Sequence, residues 1–172
     1  EPKVSFSKLT YEFSDTATPA FDVYVPSESL SAISADIYKY PGDSSFLNHL
    51  NEKISTPSWA TYSVSSDVLP TNNLTKVVSL NLNIQKQKYS NFFSLPQTLP
   101  FGQYLVEVSA GGQKSQALFQ VTNVSAYFTQ SGTKTLVWVN SLANAPLSGA
   151  TVTYNNSNQT TDQNGISYFE TD

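Results

Sequence analysis

Cysteine is absent from all 172 residues. That excludes a disulfide framework, a thiolate zinc site and a cysteine nucleophile. Charge is scarce too: charged residues make up 13% of the chain, about half the usual share of a soluble domain. Ser, Thr, Asn, Gln and Tyr must then supply the polar surface, a neutral composition that points to a secreted protein rather than a cytosolic enzyme. A disulfide-free secreted chain points in turn to a bacterial source. The net charge is −4, and the few lysines are dispersed. Nucleic-acid binding needs clustered cations, so that class is excluded. No run approaches the roughly 20 apolar residues that span a bilayer. The opening "EPKVSFSKLT" has neither the basic start nor the hydrophobic segment of a signal peptide. With no initiator Met, the expectation is an excised piece of a longer, processed chain, secreted or held at the bacterial cell envelope.

What is present is alternation. "AFDVYVP" puts Phe21, Val23 and Val25 on one face and Asp22 and Tyr24 on the other, and Pro26 stops it. "AISADIYKY" sets Ile33, Ala35 and Ile37 against Ser34, Asp36 and Tyr38. "VVSLNLNI" sends Val78, Leu80, Leu82 and Ile84 one way and Ser79, Asn81 and Asn83 the other. One stretch breaks the period. In "PGDSSFLNHLNEKISTP", Leu47, Leu50 and Ile54 share a helical face. A short helix near residues 44–54 is expected, capped by Asp43 or Ser44 and ended by Pro57. Two to three turns are marginal alone, so it must pack on a sheet.

Further on, Tyr104, Val106 and Val108 alternate with Leu105, Glu107 and Ser109, and Gly111-Gly112 supplies positive φ for a tight turn. Ala117, Phe119 and Val121 return inward. After Thr122 come "VSAYF", "KTLVWVNSL", "GATVTYNN" and "ISYFE", punctuated by "SGT" and by "QNG", a hairpin signal at Asn164-Gly165. The reading is all-β, with one unit over 1–122 and a second over 123–172. The second supplies about four strands where a sandwich of this type uses about seven. It is therefore expected to be incomplete.

Candidates for chemistry are few. His49, the only histidine, falls beside Leu50 at a solvent-facing helical position, and no nucleophile-elbow pattern surrounds any serine. A Ser-His-Asp relay needs three converging groups, so His49 reads as a surface histidine. Glu12, Asp15, Asp22, Asp36 and Glu107 could make a glycosidase pair if two of them flanked a cleft. Asp22, Asp36 and Glu107 fall at outward strand positions, which reads as solvation. In "TDQNGISYF", Thr161, Asp162 and Asn164 offer oxygen ligands, but Gly165 follows too soon for a calcium loop, so a turn is expected. Trp138, inside "LVWVN", reads as core; Trp59 in "TPSWATY" is assigned to packing under the inserted helix. The N-x-[ST] sequons at Asn73, Asn123, Asn155 and Asn158 matter only in a eukaryotic source. No catalytic, cofactor or metal residue is assigned, and no cofactor is expected.

The order of these segments resembles that of the bacterial alpha-2-macroglobulin family. "ATPAFDVYV" and "ISADIYKYPGDSSFLNHL" stand where those proteins have an extended strand, a "VYR"-like strand and a short helix. "LPFGQYLVEVSAGGQKSQALFQVTNVSAYFTQSGTKTLVWVNSLANAPLSGATV" is similar to the family's run in which one macroglobulin domain hands over to the next. "TTDQNGISYF" is similar to the "TDxxGxAxF" close of such domains. Leu142-Ala143-Asn144 stands where "DLxTG" is usual, so that turn lacks its glycine.

The resemblance implies two consecutive macroglobulin-like antiparallel β-sandwiches of immunoglobulin or fibronectin type. They would be non-catalytic structural domains of a bacterial protease trap, an endopeptidase inhibitor. Partners implied are the neighbouring macroglobulin domains and the proteases captured by the parent, with membrane attachment only through an anchor elsewhere. The family's thioester joins a Cys to a Gln in a "CxEQ" loop, and a chain without cysteine cannot hold it, so no functional residue carries over. The competing expectation is a cell-surface adhesin or carbohydrate-binding module. A sugar binder exposes an aromatic platform, whereas a scaffold buries its aromatics.

Overall fold

A computed structural model describes residues 4–25, 30–55, 68–88 and 90–170. Pro26, Pro57 and Trp59 lie outside them. Contacts divide the chain into Glu1–Val121 and Thr122–Asp172. The protein is all-β apart from one short helix, and its strands form antiparallel sheets of sandwich type.

The first unit contains β1 (Ser5–Phe6), β2 (Thr10–Phe13), β3 (Ala20–Tyr24), β4 (Ala32–Lys39), α1 (Asp43–Ile54), β5 (Thr75–Asn83), β6 (Gln85–Lys86), β7 (Asn91–Ser94), β8 (Gly102–Ala110) and β9 (Gln113–Val121). One sheet has the order β1-β3-β7-β6, the other β2-β9-β8-β4-β5. β2 runs parallel to β9, with Thr10 beside Leu118 and Phe13 beside Val121. Alternation places Phe21 and Val23, Ile33, Ala35 and Ile37, and Tyr104, Val106 and Val108 in a single core. Its middle is aromatic: Phe21 lies 5.2 Å from Phe93 and from Phe119, and Phe119 stacks on Tyr104 at 5.1 Å. Such pairs add roughly 0.5–1.5 kcal/mol each beyond the area they bury. The Tyr104 hydroxyl donates to the Pro100 carbonyl at 2.7 Å, so the ring is buried without an orphaned polar tip. β8 and β9 turn over Gly111 (φ 57) and Gly112 (φ 80), the two positive values a type I′ hairpin needs.

The alternation misassigns one face. Tyr38, Leu105 and Glu107, expected outward, are buried. A second apolar cluster covers that side of the sheet, formed by Tyr38, Tyr40, Phe46, Leu69, Leu105 and Leu118. β8 is thus covered on both faces. The helix forms where expected, but its buried face is Phe46 with Leu50, while Leu47 and Ile54 are exposed. Phe46 and Leu50 are one turn apart and meet Tyr40; Leu47 lies about 100° further round. Neither Asp43 nor Ser44 caps it: the N-cap is Gly42, with no side-chain cap. Asp43 instead accepts from Gln103 Nε2 at 2.8 Å, tying the first turn of α1 to β8.

The second unit contains β10 (Val124–Ser131), β11 (Lys134–Ser141), β12 (Thr151–Tyr154), β13 (Ser157–Thr160) and β14 (Ile166–Glu170). One sheet has the order β10-β11-β14, and β12 pairs only with β13. The core is small: Val137, Val139 and Phe169, with Leu147, Ala150, Val152 and Tyr154 partly buried against it. β13 has no counterpart in the sequence reading because "SNQT" contains no apolar residue to mark a strand. Asn155 (φ 46) and Asn156 (φ 63) make the turn between β12 and β13, the left-handed geometry that asparagine tolerates. The turn without its glycine is closed the same way, by Asn144 at φ 61. Asn164-Gly165 does not form a hairpin. It links β13 of one sheet to β14 of the other. Gly165 (φ 76) is fixed there twice over, because a Cβ would collide with the Val139 carbonyl.

Candidate functional site

The densest ionisable cluster lies on the helix-bearing face of the five-stranded sheet. Strand register sets Ser79, Asp36, Glu107 and Gln116 side by side across β5, β4, β8 and β9. Two carboxylates on adjacent strands repel unless answered, and each is answered. Asp36 accepts from Lys76 Nζ at 2.7 Å and from the Ser79 hydroxyl. Glu107 accepts from Lys114 Nζ at 2.7 Å on one oxygen and from Gln116 Nε2 at 2.7 Å on the other. Burial opposes ionisation of Asp36, but hydrogen bonds from Lys76 and Ser79 and the lysine charge outweigh it and hold its carboxyl below the ordinary value. The hydrogen bond to Glu107, then its charge, raises Lys114; Asp36 does the same for Lys76.

The expectation that Glu107 is solvated is therefore wrong. It is buried, and burial of a carboxylate is tolerated because both oxygens are occupied. Gln116 extends the network. Its amide oxygen accepts from Leu69 N at 2.7 Å and its Nε2 donates to Leu69 O, so it mimics a strand partner and pins Leu69 over β9. This arrangement holds structure together; both carboxylates are engaged in internal bonds. Glu12 accepts from Gln120 at 2.6 Å, Asp22 is exposed and Asp15 half-buried. Among the described residues no group of three or more His, Asp or Glu could hold a metal ion.

His49 is half-buried rather than solvent-facing. Its Nδ1 is 2.8 Å from the Tyr40 hydroxyl, with the rings edge to face at 5.5 Å. Burial, then the charge of Glu52, pushes the Tyr40 phenol up. The partner of His49 is thus a tyrosine that resists ionisation, and the pair anchors α1 on the sheet. In the last turn before β14, Asp162 Oδ1 accepts from the backbone N–H groups of Asn164 (2.8 Å) and Ile166 (2.9 Å). Thr161 Oγ1 donates to the Leu147 carbonyl and accepts from Ala150 N. These oxygens close a turn.

Trp138 overturns its assignment to the core. Within "LVWVN" the two faces differ: Val137 and Val139 are buried, whereas Trp138 is 45% exposed. Register places Tyr127 directly opposite it on β10 and Ile166 on β14, with Leu136 and Tyr168 as the next pair. Tyr127 is 69% and Tyr168 60% exposed. The indole Nε1 donates to the Asn164 carbonyl at 3.2 Å, which fixes the ring. Three aromatics therefore share one open sheet face.

The opposite face of this sheet holds a feature that alternation does not signal. Phe128 pairs with core residue Val137 and so points inward, yet it is 74% exposed. It lines a groove of about 240 Å³ with Ala126, Val137, Val152 and Tyr154. Nearby on the same face, the hydroxyls of Thr135 and Ser167 are buried with no hydrogen-bond partner.

No family model and no curated protein matches this chain. Among the described residues, no helix is long and apolar enough to cross a membrane.

Proposed function

We propose that the chain is a non-catalytic scaffold: macroglobulin-like sandwich units of a bacterial protease trap of the alpha-2-macroglobulin type, secreted or held at the cell envelope. The observation that carries this reading is the ordered run of strand and turn motifs from Leu99 to Phe169. Within that run β9 ends at Val121 and β10 begins at Val124, a junction suited to modules set end to end. The ionisable groups fit the same reading, since Asp36, Glu107 and His49 are all engaged within the fold. Its partners are then the adjoining modules of the parent protein and the proteases that protein captures. The test is to mix the full-length protein containing this sequence with elastase. Trapping predicts that the protease loses activity on casein while still cleaving a small chromogenic peptide. Unchanged casein hydrolysis would remove the proposal.

One observation favours a second reading, a carbohydrate-binding surface module. Tyr127, Trp138 and Tyr168 expose aromatic rings on one face, and rings presented this way can stack on sugars. Glycan-array binding abolished by Trp138→Ala would establish it. An array blank for the unaltered protein rejects it.

A further inference from the structure

The second unit is open along one side. β10 ends the three-stranded sheet, β12 ends the two-stranded one, and no described strand pairs with the outer edge of either. The groove beneath Phe128 runs between these two edges, with Val137 in its lining. β10 is eight residues long, "VSAYFTQS", with no charge, no proline and an unbroken register against β11. It lacks every device that ordinarily keeps a sheet edge from pairing.

We propose that this groove accepts an added β-strand, supplied by a separate extended polypeptide segment that is uncharged and apolar at every second residue. Its backbone pairs with the free edge of β10, and its inward side chains fill the space between Phe128 and Val152. Edge pairing supplies affinity through main-chain hydrogen bonds, and the alternate pockets supply selectivity. The chemistry of the lining decides the pattern. No acidic or basic side chain lines the groove, so a charged segment would lose its hydration there without an opposite charge to meet it. A second copy of this chain is a poorer occupant. Pairing β10 with its own twin would leave β12 and its half of the groove bare in both molecules. A sugar or lipid has no row of amides to match a strand edge.

The test uses the whole 172-residue protein and an end-blocked octapeptide, Thr-Val-Ser-Val-Thr-Val-Ser-Val. The control is its isomer with the four valines in one block. Amide hydrogen exchange of β10 is followed by NMR. The alternating peptide slows exchange of the β10 amides at least tenfold at saturation, the block isomer does not, and Phe128→Lys abolishes the effect. Because Phe128 is mostly exposed, that variant keeps its fold, which the unchanged β8 and β9 resonances verify. A Tyr168→Ser variant, altered on the other face, responds as the parent does. Three results overturn the proposal: no slowing, equal slowing by both peptides, or β10 already protected in a self-associated dimer without peptide. None of these bears on protease trapping.

Discussion

At the residue scale, Glu107 is the most constrained charge in the protein. Deleting its side chain leaves Lys114 and the doubly engaged Gln116 amide without their acceptor. Glu107→Ala is therefore expected to lower stability by about 1–3 kcal/mol in urea denaturation, more than Asp22→Ala at an exposed site. Asp36 sets a pH dependence. Its pKa is depressed in the folded protein, so its contribution is present above the unfolded value of roughly 3.9. That contribution is lost as pH falls through the lower folded value. The gap in urea midpoint between pH 7 and pH 3 should shrink in Asp36→Asn. At the alkaline end Tyr11, Tyr40 and Tyr104, each raised chiefly by burial, act in the same direction as Lys76 and Lys114. Their stabilisation is full below about pH 10 and falls as pH rises through the raised values; Tyr40→Phe should delay alkaline unfolding. Alternation reveals which residues share a face. It does not reveal what lies over that face, which is why Asp22 reads correctly as outward while Glu107 and Trp138 do not.

At the scale of elements, α1 shows where period and packing part company. The pattern Leu47, Leu50, Ile54 and the pattern Phe46, Leu50 are both helical, and only the position of Tyr40 and Leu105 selects the second. Phe46→Ala should destabilise by about 3–5 kcal/mol as a buried-ring deletion. Leu47→Ala and Ile54→Ala should each stay within about 0.5 kcal/mol, and thermal melts by circular dichroism would separate the three. The turns were more legible than the helix face, because Gly111-Gly112 names its own geometry. Asn164-Gly165 is the exception: the dipeptide marks positive φ correctly, but sequence does not say that the chain crosses between sheets there. Gly165→Ala combines a left-handed backbone with a collision at the Val139 carbonyl. A loss of more than about 1 kcal/mol is expected in urea titration.

At the scale of the whole molecule, the two units differ in what holds them. The first buries a core drawn from strands of both its sheets, whereas the second relies on Val137, Val139 and Phe169. Amides of β11 should therefore exchange with solvent faster than those of β8, because local opening follows buried apolar contact. The division near residue 122 is readable because the alternating pattern restarts there. The incompleteness of the second sandwich is readable from strand number alone, but the location of its gap is not. That depends on which strands end the sheets. The parallel pairing of β2 with β9 has a consequence for how the protein is made. Glu12 meets Gln120, 108 positions later, so β2 leaves the ribosome long before its neighbour exists. Until residue 121 has been translated, Tyr11 and Phe13 have no sheet to join, and a nascent chain stalled earlier presents those rings to chaperones.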